Sequence, residues 1–158
     1  MPPFTIRIAQ REDAPTIYTI HQASLITLCV THYPLDTLQR WFSTKTIEGY
    51  YPAIDQHEMF VCESDKAVIG FGQAVPGEVV AIFVHPDFAG RGVGKCLLDH
   101  AVQCASKDYE GPIKLIATLN AEPFYAKHGF HEVRRYTIER GDLQFPVVEM
   151  ELDADKPN

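Results

Sequence analysis

The sequence predicts a mixed α/β fold, and three observations carry that prediction. A β-branched apolar run at 78–84 stops near Pro86, turns through Gly90, Gly92 and Gly94, and enters a helical pattern that leads to a second apolar strand at 113–119. Two strands joined through a helix in this way require a parallel crossover. Upstream, residues 59–84 read as three strand runs separated by short turns; downstream, 131–140 and 143–152 flank Gly141-Asp142 as a hairpin. Parallel and antiparallel pairs together give an α/β (α+β) mixed sheet in the order β-α-α-β-β-β-α-β-α-β-β.

Each element has its own signal. Ile6 and Ile8 alternate with Thr5 and Arg7 as a first strand, and Asp13 before Ala14-Pro15 starts a helix whose apolar face is Ile17, Ile20, Ser24, Leu25 and Leu28. Pro34 interrupts, and Leu35, Leu38, Trp41 and Phe42 form a second, short amphipathic helix. The strand period then runs through 59–63, 67–74 and 78–84, with turns at 64–66 and 75–77. Val93, Leu97, Leu98, Ala101, Val102 and Ala105 supply the buried face of the long helix, which ends before Gly111-Pro112. Ile113, Leu115, Ala117 and Leu119 make the next strand. A short helix follows, with Pro123 in its first turn and Gly129 as its stop. Pro146 marks the terminal hairpin for an edge or a bulge. Residues 1–152 are expected to form a single domain, with 153–158 a frayed polar tail.

Composition narrows the partners. With 158 residues, 46% of them apolar, the chain suits one globular core, and a net charge of −7 opposes a phosphate-backbone interface. Nucleic acid is not expected as a partner. Residues 1–7 lack a hydrophobic signal core and no apolar run approaches a membrane span, so a cytoplasmic protein without membrane contact is expected. Cys29, Cys62, Cys96 and Cys104 contain no C-x-x-C pair and read as reduced thiols. His128 and His131 lack an acidic or Cys partner, so no metal is expected.

The chemistry concentrates in the glycine turn. A strand that ends in such a turn at a helix start presents a row of backbone N–H groups to an anion, and glycine permits close approach and positive φ. A phosphorylated ligand is therefore expected. Two familiar phosphate motifs fail here: a P-loop needs Gly where Ala89 stands and Ser or Thr where Cys96 stands, and a dinucleotide fingerprint needs its third glycine at Lys95. About 30 residues on, Asn120 to Phe130 reads as a strand end, a helix with Pro in its first turn, and a glycine stop.

Together, V-x-P-x-x-x-G-x-G-x-G at 84–94 and N-x-x-x-F-Y-x-x-x-G-F at 120–130 resemble the GNAT superfamily of acyl-CoA-dependent N-acetyltransferases. The motifs cover residues 78–130. The resemblance implies a sheet splayed between its fourth and fifth strands, acetyl-CoA as co-substrate, and an amine, small molecule or peptide, as acceptor. It also implies that backbone groups of Ile82, Phe83 and Val84 pair with the pantetheine arm. The turn Ala89, Gly90, Arg91, Gly92, Val93, Gly94 and Lys95 would hold the pyrophosphate. Ala89 departs from the Arg or Gln usual in the family, which removes a side-chain contact and leaves the backbone donors.

Within that frame Tyr125 is the expected acid, because a phenol with a pKa of about 10 can give a proton to the departing thiolate; its other reading is a core aromatic. Asn120 either bonds the pantetheine amides or caps the short helix. Glu78 matches the position of a catalytic glutamate in some family members and is the candidate base and acceptor contact, or else an exposed strand residue. His32 and Tyr33, in the loop between the first two helices, are candidate acceptor contacts. Direct attack by the amine in a ternary complex is expected, in a monomer or homodimer. Cys29 and His32, the one sequence-local thiol and imidazole pair, lie far along the chain from both motifs. The alternative is a non-catalytic acetyl-CoA-binding sensor or regulatory module.

Overall fold

Seven strands form one sheet in the order β1-β2-β3-β4-β5-β7-β6. The computed structural model describes residues 4–153. The strands are β1 (Thr5–Ile8), β2 (Met59–Ser64), β3 (Ala67–Val75), β4 (Glu78–Val84), β5 (Ile113–Thr118), β6 (His131–Arg140) and β7 (Leu143–Leu152). The expected mixed sheet is present: β4 and β5 are parallel and every other neighbouring pair is antiparallel. The tail expected at 153–158 lies, apart from Asp153, outside the described residues.

Helices cover both faces. Against one packs α4 (Val93–Ser106), which buries Val93, Leu97, Leu98, Ala101 and Ala105 on Phe60, Ile69, Val79 and Leu115. Side chains of this size contribute roughly 2–3 kcal/mol each on full burial, so the α4 seam anchors the glycine turn that precedes it. The other face carries α1 (Ala14–Leu28) and α2 (Leu35–Phe42). Ile17 and Ile20 of α1 pack with Val61 and Phe71, while Leu25, Leu38 and Phe42 reach Phe145 and Val147 of β7. Arg7 of β1 ties down the start of α1 through a two-pronged pair with Asp13, both bonds 2.9 Å. Asp13 also accepts the Gln10 N–H at 2.8 Å, and the guanidinium holds its carboxyl below the usual carboxylate range.

One segment without a strong periodic signal is ordered. Residues 43–58 contain a 3-10 turn at Glu48–Tyr50 and a short helix α3 (Tyr51–Asp55), with Pro52 in its first turn and Ile54 buried. The residue α5 (Glu122–Lys127) ends on, His128, precedes Gly129, whose φ of 99° makes the expected stop. Among the described residues no helix is long and apolar enough to cross a membrane.

Candidate active site

The site begins where β4 and β5 part. Their pairing is confined to Glu78 and Lys114 at the start of both strands. Beyond it β4 carries an extra residue: Gln73 of β3 faces Ala81 while Ala74 faces Val79, which leaves Val80 bulged and 41% exposed. A bulge bends and twists its strand, and here the bend opens a V toward the carboxyl ends. Ligands of such sheets bind in that place.

A cleft of about 440 Å³ opens at the mouth of the V, with Ile82 and Val84 on the α4 face of β4 as one wall, Thr118, Asn120 and Tyr125 as the other, and the glycine turn and the end of α1 at its rim. Gly90 (φ 78°) and Gly92 (φ 87°, the residue before α4) are left-handed, a conformation that costs other L-residues roughly 1–2 kcal/mol. A Cβ at either would meet nothing within 4 Å, so the backbone conformation and not crowding requires glycine there. Among the described residues, none of the backbone N–H groups from Gly90 to Lys95 has an acceptor in the protein. Free N–H groups at the positive end of a helix dipole form an anion cradle.

At the end of β5, the Asn120 side-chain oxygen is buried without a hydrogen-bond partner. An orphaned acceptor of this kind costs about 1–3 kcal/mol unless a ligand N–H meets it. Tyr125 is 7% exposed and packs edge-on against Phe124 and Phe130, with centroids at 5.3 and 5.9 Å. Burial pushes its phenol well above the ordinary tyrosine range, so the proton is held throughout neutral pH. Cys29, the residue after α1, also lines this cleft beside Thr118 and Asn120. Its distance along the sequence from both motifs had hidden this proximity. Burial raises the thiol to about 11, partly offset by those two side chains, so it is protonated and a poor nucleophile.

The opposite face of β4 borders a second cleft of about 680 Å³. His21 of α1, Tyr50, Glu58, Gln73, Lys45 and Phe83 line it. Glu58 accepts a hydrogen bond from the Gln73 amide at 2.8 Å, and His21 Nδ1 lies 2.8 Å from the Tyr50 hydroxyl. A throat of about 60 Å³ lies in the V itself. It shares Val80, Ala81 and Ile116 with the larger cleft and Ile82, Thr118 and Tyr125 with the smaller, so the two clefts meet between the strands beside Tyr125.

Several expected site residues sit elsewhere. Glu78 is at the closed end of the strand pair, four residues before Ile82 and hence about 13 Å along the strand, and it lines neither cleft. Tyr33 is 3% exposed, stacks on Phe145 at 4.3 Å, donates to the Pro146 carbonyl and accepts the Leu119 N–H. It braces the α1–α2 loop against β5 and β7 and lines neither cleft. His32 is exposed, 2.9 Å from the Thr31 hydroxyl, and also lines neither cleft. At the turn, Arg91 rests on Phe88 and Lys95 pairs with Asp99 at 2.7 Å, while Val93 is buried in the core.

Comparison with known proteins decides the family. The family model described as acetyltransferase (GNAT) domain matches residues 29–154. This chain is a member of the GNAT acetyltransferase family. Among GNAT structures, one described as a GCN5-related N-acetyltransferase, aminotransferase class II, from Rhodopseudomonas palustris superposes with a TM-score of 0.90 at 22% identity, over 97% of both chains. The PaiA N-acetyltransferase of Thermoplasma acidophilum, solved with coenzyme A, gives 0.75 at 20% identity over 97% of this chain and 99% of that one. The uncharacterized N-acetyltransferase MJ1207 of Methanocaldococcus jannaschii is 25% identical over 143 residues, 82% of this chain and 61% of that protein. The chain thus spans less than two thirds of that relative's length. YafP of Escherichia coli K12, also an uncharacterized N-acetyltransferase, is 21% identical over 85% of each.

Three polar residues of this GNAT site carried no motif in the sequence: His21, Lys45 and Glu58. His21 could have been found, because it falls on the core-facing side of α1 between Ile17 and Ser24, where a titratable group is out of place. Burial, with Lys45 nearby, pushes its imidazole down to about 3. The unfolded chain therefore takes up a proton near pH 6.5 that the native state refuses, and stability present above that pH is lost as the pH falls below it. Because His21 borders an open cleft, solvent screening reduces the effect to about 1 kcal/mol between pH 7 and 5. Thermal melts across this range should show the loss, and His21→Gln should flatten it.

Proposed function

We propose that this chain transfers the acetyl group of acetyl-CoA to a primary amine by direct attack within a ternary complex, in a single domain over residues 1–152. The observation that carries the reading is the throat beside Tyr125, where a cofactor cleft and a separate acceptor cleft meet. The chain's own groups fit the cofactor: the N–H row from Gly90 to Lys95 suits a pyrophosphate, the open edges of β4 and β5 suit the amides of an extended arm, and Asn120 offers its free oxygen to one of them.

Bound acetyl-CoA supplies an electrophilic thioester carbonyl. Backbone N–H groups of Ile82 to Val84 orient the arm and stabilise the charge that develops on the carbonyl oxygen. Tyr125, kept protonated by burial, donates its proton to the sulfur as the thiolate leaves. Glu58, inside the acceptor cleft and steadied by Gln73, takes the proton of the incoming amine directly or through one water. Glu78, the base expected from the sequence, lines neither cleft and is the second candidate for this role. Burial raises the Cys29 thiol and makes it a poor nucleophile, which favours the amine as the attacking group.

Initial rates with both substrates varied test this order of events. Double-reciprocal lines that intersect are expected; parallel lines would indicate a covalent acetyl-enzyme and overturn the mechanism.

A further inference from the structure

The acceptor cleft contains a charge arrangement that the transfer chemistry does not require. Lys45 lies half-buried in its wall and makes no ion pair among the described residues. Arg140, exposed at the end of β6, lies outside the cleft lining, 3.7 Å over the ring of the cleft residue Trp41, and has no carboxylate partner among the described residues. Elsewhere in this acidic chain Arg7, Arg11, Arg40, Arg134 and Arg135 each hold a carboxylate at 2.9 Å or less. Burial lowers the Lys45 ammonium, and the charge of Arg140 lowers it further. An unpaired ammonium in a partly desolvated wall with a second cation outside it is costly, and an anion beside Lys45 offsets both effects.

The wall formed by the two diverging strands is apolar, while Thr44, Thr46, Tyr50, Gln56 and Gln73 make much of the rest of the lining polar. Val80 and Ile116, 41% and 36% exposed, face the cleft from the two diverging strands, with Phe71 and Phe83 beside them. The one carboxylate lining the cleft, Glu58, is held by Gln73.

Resting on the reading that the chain acetylates a primary amine, we propose that its acceptor is an amine that also bears a carboxylate and an apolar body, the chemistry of an aromatic or aliphatic amino acid. The carboxylate lies against Lys45, on the side of Trp41 and the Arg140 that covers it, the apolar side chain covers Val80 and Ile116, and the amine points into the throat toward Tyr125. A polyamine or other multiply cationic acceptor would place further positive charge beside two unpaired cations and is disfavoured.

The test compares acceptors that differ by the carboxylate alone: phenylalanine against phenethylamine, and leucine against isoamylamine, with CoA thiol release as the readout. The full chain is expected to favour the carboxylate-bearing member by roughly tenfold or more in kcat/KM, mainly through KM. Lys45→Met should bring that ratio toward one, and Lys45→Arg should restore it, which separates lost charge from lost folding. Equal or better use of the decarboxylated amines by the wild type, or a ratio unchanged in Lys45→Met, would overturn the acceptor assignment and leave the acetyltransferase reading standing. Failure of every amine, with CoA still bound, would overturn both.

Discussion

Tyr125→Phe is expected to lower kcat by roughly a hundredfold, the lower end of the range for loss of a positioned general acid. The ring stays in place between Phe124 and Phe130, so packing and the wall of the cofactor cleft are retained. CoA affinity measured by calorimetry should therefore change by less than about a factor of two. This combination, a fall in turnover at constant binding, separates a proton donor from a core aromatic. Unchanged turnover would make Tyr125 a packing residue and leave the departing thiolate to another proton source. The wild-type profile should also lack a falling alkaline limb up to the ordinary phenol range near about pH 10, because burial keeps the Tyr125 proton on.

Gly92→Val should act on the other half of the site. A β-branched residue at a φ of 87° is strained, and the backbone can relieve the strain only by turning the N–H row ahead of α4 away from its common focus. A charge-assisted hydrogen bond to a phosphate contributes about 1.5–3 kcal/mol, so misaligning even one or two corresponds to a rise in KM for acetyl-CoA of about a hundredfold. The turn is exposed and its Cβ direction is empty, so the melting temperature should fall far less than affinity does. A variant that binds CoA as tightly as the wild type would show that the cradle is not the pyrophosphate site.

What was legible in the sequence follows from what is local. The β4, glycine turn and α4 succession is written in consecutive residues, because positive φ at Gly90 and Gly92 and the 3.6-residue spacing of Val93, Leu97, Leu98 and Ala101 are each properties of a short stretch. Tyr125 and Asn120 were legible for the same reason. The larger cleft, which we propose takes the acceptor, is assembled from α1, the 43–58 segment and the start of β2, three pieces with no common motif. His21, Lys45 and Glu58 meet there only once the sheet has formed. Tyr33 shows the reverse case: an aromatic in a loop that looks available to a ligand, yet its hydroxyl satisfies the Leu119 N–H left free where β5 ends. Glu78 matches a family position by count, but the Val80 bulge places the opening of the V beyond it. The 3-10 turn and α3 carried too few periodic positions to be read at all.

The central claim is that the acetyl group passes to an amine in one step across the throat. Mass spectrometry of the full chain incubated with acetyl-CoA and a panel of amines, scoring both the small molecules and the intact protein, tests it most directly. One acetyl group on the amine for each CoA released, and none on Cys29 or any other residue, is the expected result. Acetylated protein that passes its group to the amine, or tight CoA binding with no acetylated product from any amine, would contradict it.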